Sequence, residues 1–118
     1  MPRLHHVNVS VRPGAEDAEV AFLTEVLGFR PVVLPPESDS FGARWYEGDD
    51  GVQIHISIDA EHAAARLAHT ALVVGDEAGA IEQRLERAGV EIGRGSLDGI
   101  EIMIVTDPAG NRWELRSA

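Results

Sequence analysis

The chain has 118 residues, with 20 acidic side chains against 10 basic ones and a formal net charge of −10. An acidic surface repels nucleic-acid phosphates and anionic lipid headgroups, so we expect neither nucleic acid nor membrane as a partner. The absence of cysteine excludes disulfides and thiolate metal sites. No signal-peptide core and no stretch of roughly 18 apolar residues is found, so a cytoplasmic globular protein of one domain, residues 1–118, is predicted.

The first half of the chain predicts a strand, a helix and three further strands. Residues 7–11 alternate valine with polar residues, the period of two that is typical of a half-buried strand. Strands are also predicted near residues 30–34, 42–47 and 52–58. The helix is indicated by apolar residues at helical spacing and by a glycine that ends it, namely Ala18, Phe22, Leu23, Val26, Leu27 and Gly28.

The second half repeats this order of elements. Residues 67–74 predict a strand, Asp76 is the expected N-cap of a helix, and Gly89 is its expected end. The apolar stripe of that helix consists of Ala78, Ile81, Leu85 and Ala88. Strands are predicted near residues 91–94, 100–105 and 112–116. The alanine-rich segment 59–66 between the halves is interpreted as either a helical turn or a linker.

Three pairs of segments match between the halves in the same order. Residues 4–11 lie over 67–74 at an offset of 63, residues 27–29 over 88–90 at an offset of 61, and residues 51–56 over 110–115 at an offset of 59. A repeat of this kind indicates a duplicated structural unit. We therefore predict two βαβββ modules, at about residues 1–60 and 67–118.

Three of the strands at the ends of the modules each have one polar face. Side chains at alternate positions of a strand share a face. In each of three strands, the polar residues therefore share one face. These sets are His6, Asn8 and Ser10; Gln53, His55 and Ser57; and Arg112, Glu114 and Arg116. The opposite faces are apolar and suit burial under the two helices. The polar faces are predicted to line a wetter surface.

Four residues occupy equivalent points of the repeat, His6 with His69 and His55 with Glu114, although His69 shares its strand face with the apolar Ala71 and Val73. Imidazole and carboxylate groups suit a borderline divalent ion such as Zn, Ni, Co, Mn or Fe(II). Four such ligands leave two adjacent positions of an octahedral ion open, so that a substrate can chelate through two oxygens. We predict a metal site at His6, His55, His69 and Glu114.

Further residues are candidates for the substrate pocket or for catalysis. A displaced Glu114 is the predicted catalytic residue, and Glu101 is a second candidate for a general base. His5 and His62 are not expected to bind metal, because His5 falls on the face opposite His6 and His62 lies in the join. The pocket is predicted to include Asn8, Trp45, Tyr46, Gln53, Met103 and Arg112, although Trp45 and Met103 suit a core equally well.

The chain resembles the vicinal-oxygen-chelate superfamily, which includes glyoxalase I, fosfomycin-modifying enzymes, extradiol dioxygenases and bleomycin resistance proteins. The resemblance is carried by residues 4–11, 21–29 and 107–115. It implies an α+β fold in which paired βαβββ modules form a curled mixed sheet, a cup with the helices on its convex side. The family's ligand positions fall on the same four residues, with a histidine at position 55 where bacterial glyoxalase I has a glutamate. Family members are often homodimers, so self-association is expected.

Three functions are compatible with these residues. The first is a metal-dependent lyase, isomerase or dioxygenase acting on a small oxygenated metabolite. The second is a metal-free binding protein that sequesters a small molecule, as bleomycin resistance proteins do, and an acidic surface would attract a cationic drug. The third is a structural or regulatory module with a vestigial site. Metal content distinguishes the first function from the other two.

Overall fold

The structure, a computed structural model, describes residues 1–39 and 42–118. The chain divides into two compact units, Met1–His62 and Ala63–Ala118. Each unit contains a strand, a helix and three further strands, so the predicted α+β fold of two βαβββ modules is confirmed. Across the described residues, no helix has both the length and the apolar character that crossing a bilayer requires.

The first unit contains one mixed four-stranded sheet in the order β1-β4-β3-β2. β1 runs parallel to β4, and the other neighbours are antiparallel. A π-helical turn at Phe22–Val26 continues its helix. The elements are β1 (His6–Val11), α1 (Glu16–Ala21), β2 (Arg30–Pro31), β3 (Arg44–Glu47) and β4 (Gln53–Ile58).

The second unit has the same topology. Its sheet has the order β5-β8-β7-β6, again with the first and last strands of the unit parallel. A short 3-10 turn at Gly75–Glu77 precedes its helix. The elements are β5 (His69–Val73), α2 (Ala78–Arg87), β6 (Gly93–Leu97), β7 (Ile100–Thr106) and β8 (Arg112–Arg116).

In each unit, the apolar face of the sheet and the apolar stripe of the helix are buried together. In the first unit the register pairs Val9 with Ile56, and both are buried along with Phe22 and Leu23 of the helix. In the second unit Leu115 of β8 is buried together with residues of α2. Burying a side chain of this size contributes about 2 kcal/mol to the free energy of unfolding. Because the helix-covered face of each sheet is apolar, the polar side chains of β1, β4 and β8 lie on the opposite face.

Local turns explain where the element bounds differ from those predicted. β6 lies at 93–97 and not at 91–94, because Asp98 and Gly99 both have positive φ (51° and 79°) and form a tight hairpin that fixes the pairing with β7. Asp76 does not cap α2, since Gly75 (φ 55°) turns the chain directly after β5 and a 3-10 turn takes up residues 75–77. The strand predicted at 30–34 is limited to Arg30–Pro31.

The turn between β7 and β8 is held by one buried carboxylate. Oδ1 of Asp107 accepts hydrogen bonds from the backbone N–H groups of Ala109 (3.0 Å) and Asn111 (2.8 Å). Its Oδ2 accepts the indole N–H of the fully buried Trp113 at 2.9 Å. Because β8 begins one residue before Trp113, this carboxylate fixes where Arg112 and Glu114 enter the sheet.

Removing this carboxylate is expected to destabilise the protein strongly. Asp107→Ala leaves a buried indole N–H without its acceptor, and each such loss costs about 1–3 kcal/mol. We expect the free energy of unfolding, measured by urea denaturation, to fall by about 2–4 kcal/mol. The exposed Glu91→Ala is the control and should change it by less than about 0.5 kcal/mol. Equal values for the two variants would contradict the role given to Asp107.

Candidate metal centre

The parallel pairing of β1 with β4 brings His6 and His55 together. The register places His6 opposite Gln53 and Asn8 opposite His55, so all four side chains lie on one face. On the other side of β4, Trp45 of β3 lies opposite His55. This is the face of the first sheet that the helix does not cover. The predicted polar face of this unit is therefore present in the structure.

His55 lies between two other rings in a parallel stack. Its ring centroid is 4.4 Å from that of Trp45, with an interplanar angle of 4°, and 4.0 Å from that of His6, with an angle of 12°. His55 is only 5% exposed, whereas His6 at the start of β1 is exposed. Stacking of this kind contributes about 1 kcal/mol beyond the burial of the rings. The two faces of the His55 ring are consequently covered.

The edges of the two histidine rings have defined partners. Nε2 of His55 lies 2.8 Å from Oε1 of Gln53. An amide oxygen only accepts hydrogen bonds, so Nε2 carries the proton and Nδ1 has the lone pair. Nδ1 of His6 lies 3.0 Å from Nδ1 of His5, so one of these nitrogens donates and the other accepts. Strand periodicity places His5 on the face opposite His6, but His5 precedes β1, and its ring nevertheless contacts that of His6.

Burial keeps His55 uncharged at neutral pH. Desolvation, followed by the positive charges that His6 and His5 acquire when protonated, lowers the pKa of His55 from 6.5 to about 4. Neutral imidazole is the form that binds a metal ion. His55 thus has an available donor nitrogen throughout the physiological range.

In the second unit, the pairing of β5 with β8 brings His69 and Glu114 together. The register places His69 opposite Arg112 and Ala71 opposite Glu114. Nε2 of His69 is 3.6 Å from Oε1 of Glu114, while its Nδ1–H donates to the carbonyl of Leu67 at 3.0 Å. In the neutral form of His69, the lone pair is therefore on Nε2, the nitrogen nearest the carboxylate. A histidine whose second nitrogen donates to a carbonyl is the usual arrangement of a metal ligand.

Charged neighbours surround Glu114. Nη1 of Arg116 lies 3.6 Å from its Oε2, whereas His69 lies against its Oε1. Arg112, on the same face of β8, is half-buried, and its guanidinium donates to the carbonyl of Arg66 at 3.5 Å. Two arginines therefore share this face of β8 with the carboxylate of Glu114.

Of the residues predicted for the pocket, Tyr46 lies on the opposite face of its sheet. It pairs with Ile54 on the helix-covered side of the first sheet and is 6% exposed. Asn8, Trp45 and Gln53 lie on the His55 face, and the amide of Asn8 donates to Oγ of Ser57 at 2.9 Å. Tyr46 and Trp45 are adjacent in β3, so their side chains point to opposite faces of the sheet.

Met103 and Glu101 likewise lie away from Glu114. Met103 pairs with Leu115 on the helix-covered side of the second sheet, and Glu101, two residues earlier in β7, shares that side. Both line a cavity of about 550 Å³ between α2 and the sheet. Their position does not favour contact with a ligand bound at Glu114.

The structure thus brings the four predicted ligands together as two pairs, one in each unit. Among residues 1–39 and 42–118, no three histidine, aspartate or glutamate side chains lie close enough to hold one ion. The complete four-residue site therefore stays a prediction. The donors themselves fit a divalent ion, since each unit presents a neutral imidazole nitrogen whose partner nitrogen is hydrogen-bonded.

Comparison with known proteins identifies relatives of this fold. The family model described as Glyoxalase/Bleomycin resistance protein/Dioxygenase superfamily matches residues 3–115. No match was found among curated proteins. A crystal structure of a protein of the glyoxalase family from Bacillus anthracis is 27% identical, with a TM-score of 0.82, and the match covers 98% of this chain and 94% of that one.

Two further solved structures share the fold at lower identity. The fosfomycin resistance protein FosX of Listeria monocytogenes, in an E126Q mutant complexed with Mn(II) and 1S,2S-dihydroxypropylphosphonic acid, is 17% identical with a TM-score of 0.76 and covers 100% of this chain and 94% of its own. A glyoxalase/dioxygenase of Nostoc punctiforme is 16% identical with a TM-score of 0.78 and covers 97% and 89%. These two matches establish the similarity of fold alone.

Because the pKa of His55 is low, we expect the free energy of unfolding to depend on pH. The unfolded chain takes up a proton on His55 near pH 6.5 and the folded chain only near pH 4, so stability is fully present above pH 6.5 and declines as the pH falls to 4. The shift corresponds to roughly 3 kcal/mol at most. His55→Phe keeps a stacking ring that does not titrate.

Urea unfolding at pH 7 and at pH 4.5 measures this effect. The free energy of unfolding should fall more in the native protein than in His55→Phe, by about 2 kcal/mol. Other carboxylates and histidines titrate in both proteins and cancel in the comparison. Parallel pH profiles for the two proteins would show that His55 is not buried as described.

Proposed function

Because the chain belongs to the Glyoxalase/Bleomycin resistance protein/Dioxygenase superfamily, we propose that it is a metal-dependent enzyme acting on a small oxygenated metabolite. A divalent ion, Zn, Ni, Co, Mn or Fe(II), would be held by His6, His55, His69 and Glu114. The substrate would bind through two adjacent oxygens. The chemistry would be that of a lyase, an isomerase or a dioxygenase.

The observation that carries this proposal is the pair formed by His69 and Glu114. Nε2 of His69 and Oε1 of Glu114 lie side by side at 3.6 Å, and the hydrogen bond to the Leu67 carbonyl fixes the ring. Even if His69 were protonated, an ion pair at 3.6 Å on a partly exposed sheet face would contribute little to stability, so stability alone does not explain why these two groups are adjacent. Two donors held at this separation need only a small closure to bind one ion.

The His6 and His55 pair supports the same proposal with one rearrangement. A metal ion binds in the plane of an imidazole ring, and two parallel rings 4.0 Å apart do not have a common in-plane position. One ring has to turn. His6 is exposed and has the room to do so, whereas His55 is enclosed by Trp45, His6 and Gln53.

A bound ion would act as a Lewis acid for negative charge developing on the substrate oxygens. The residues of the chain would bind and orient the substrate. Arg112 would pair with an anionic group, and Trp45, Asn8 and Gln53 would line the first unit's side of the ligand. Glu114, when displaced from the ion, would accept a proton from the substrate through a carboxylate oxygen.

Metal content tests the proposal directly. Protein reconstituted separately with each of the five ions should retain about one ion per chain for at least one of them. His6→Ala and Glu114→Ala should bind that ion at least about 10-fold more weakly, since each removes a ligand. His62→Ala is the matched control, because its side chain lies in the join, and should bind as the native chain does.

Two results would count against an enzyme of this kind. Elemental analysis that finds no ion after reconstitution with any of the five would remove the proposal. Binding of a cationic small molecule that is unaffected by chelator and by His6→Ala would instead favour a sequestering protein of the bleomycin resistance type.

We also propose that the chain forms a homodimer, as the family resemblance implies. Mixing His6→Ala with Glu114→Ala, each defective in one unit, tests whether two copies share a site. Metal binding restored in the mixture means that ligands come from two copies. No restoration, with normal binding by native protein, places all four ligands in one chain.

A further inference from the structure

Gln53 makes a contact that the proposed metal site does not by itself require. It lies two residues before His55 on the same face of β4, and its Oε1 is 2.8 Å from Nε2 of His55. The amide oxygen has lone pairs and no hydrogen to donate, so this contact exists only when Nε2 is protonated. The proton of neutral His55 is thereby assigned to Nε2.

The stack prevents the ring from escaping this contact. Trp45 and His6 cover the two faces of His55 at centroid distances of 4.4 and 4.0 Å. Turning the ring about its Cβ–Cγ bond would displace both neighbours. The edge contact with Gln53 therefore decides which nitrogen has the lone pair.

The second unit has the opposite arrangement. His69 donates from Nδ1 to the Leu67 carbonyl at 3.0 Å, which leaves the lone pair of the neutral ring on Nε2. In the second unit the acceptor that holds the imidazole proton is a backbone carbonyl, whereas in the first unit it is a side-chain amide. The first unit's tautomer is therefore open to change by substitution.

We propose that Gln53 is a positioning residue that holds the His55 proton on Nε2, so that His55 presents Nδ1 to a metal ion while His69 presents Nε2. The inference rests on the proposed function for the metal ion, but the tautomer itself is a property of the chain alone. Hydrogen bonds from ligand histidines to outer partners fix ring orientation and raise ligand basicity.

The tautomer is measured without metal. In protein labelled with ¹⁵N on histidine, long-range ¹H–¹⁵N correlation spectra at pH 7.5 distinguish a protonated ring nitrogen from one with a lone pair. We expect His55 to have a protonated Nε2 and His69 a protonated Nδ1. A protonated Nδ1 on His55 in the native chain would overturn the inference.

Three variants separate positioning from packing. Gln53→Leu keeps the bulk but removes the acceptor, and should release His55 to a mixture of tautomers. Gln53→Glu keeps an acceptor oxygen and should preserve the Nε2-protonated form. Gln83→Leu, on the exposed side of α2, is the matched control and should leave both histidines unchanged. An unchanged His55 tautomer in Gln53→Leu would refute the role of Gln53.

Zinc titration connects the tautomer to the site. Gln53→Leu should bind Zn²⁺ about 10-fold more weakly than the native chain, the usual effect of losing an outer partner. On Zn²⁺ addition to native protein, the Nδ1 resonance of His55 should shift, and its Nε2 should keep its proton. A shift at Nε2 would overturn the inference. If the native chain binds none of the five ions, the proposed enzyme fails while the tautomer result stands on its own.

Discussion

The parallel pairing of the first and last strands within each unit is the constraint on which the rest of the site depends. In the first unit His6 lies two residues before Asn8, the partner of His55; in the second, His69 lies two residues before Ala71, the partner of Glu114. The same diagonal therefore joins both pairs. Because side chains on one strand face repeat every two residues, a slip of one residue in either pairing would send one member of a pair to the helix side. Because the two registers are equivalent, residues that match between the two halves of the sequence occupy equivalent positions in the two sheets.

The two pairs present their donors by different physical means. In the first unit, packing dominates: the rings of Trp45 and His6 enclose His55, and desolvation lowers its pKa to about 4. In the second unit, hydrogen bonding and charge dominate, since His69 is exposed and is oriented by the Leu67 carbonyl next to Glu114. A glutamate at position 55 would place a second carboxylate in the site. In the proposed metal site, the histidine would make the four-residue set less negative and would favour ions that accept nitrogen ligands.

The sequence predicts the repeated modules and the polar faces because both depend on local periodicity and on matched segments. It does not predict which side of the sheet Tyr46 and Met103 occupy, since that depends on the registers of β3 with β4 and of β7 with β8. Those registers are set by turns. The Asp98-Gly99 hairpin shifts β6, and its dipeptide is a turn signal that was available in the sequence. The contact between His5 and His6 had no such signal, because adjacent residues of an extended chain ordinarily point apart.

The enclosed ring of His55 also has a consequence for how the first unit responds to a ligand. A buried, neutral and hydrogen-bonded imidazole has little freedom left to lose, so ordering it on binding costs little entropy. His6 is exposed and must leave the stack if both rings are to reach one ion, which gives up about 1 kcal/mol of ring contact. Binding in the first unit should therefore move His6 and leave His55, Trp45 and Gln53 in place. In the proposed site, the strands that hold these three residues would therefore stay in place, and the start of β1 would adapt to the ion.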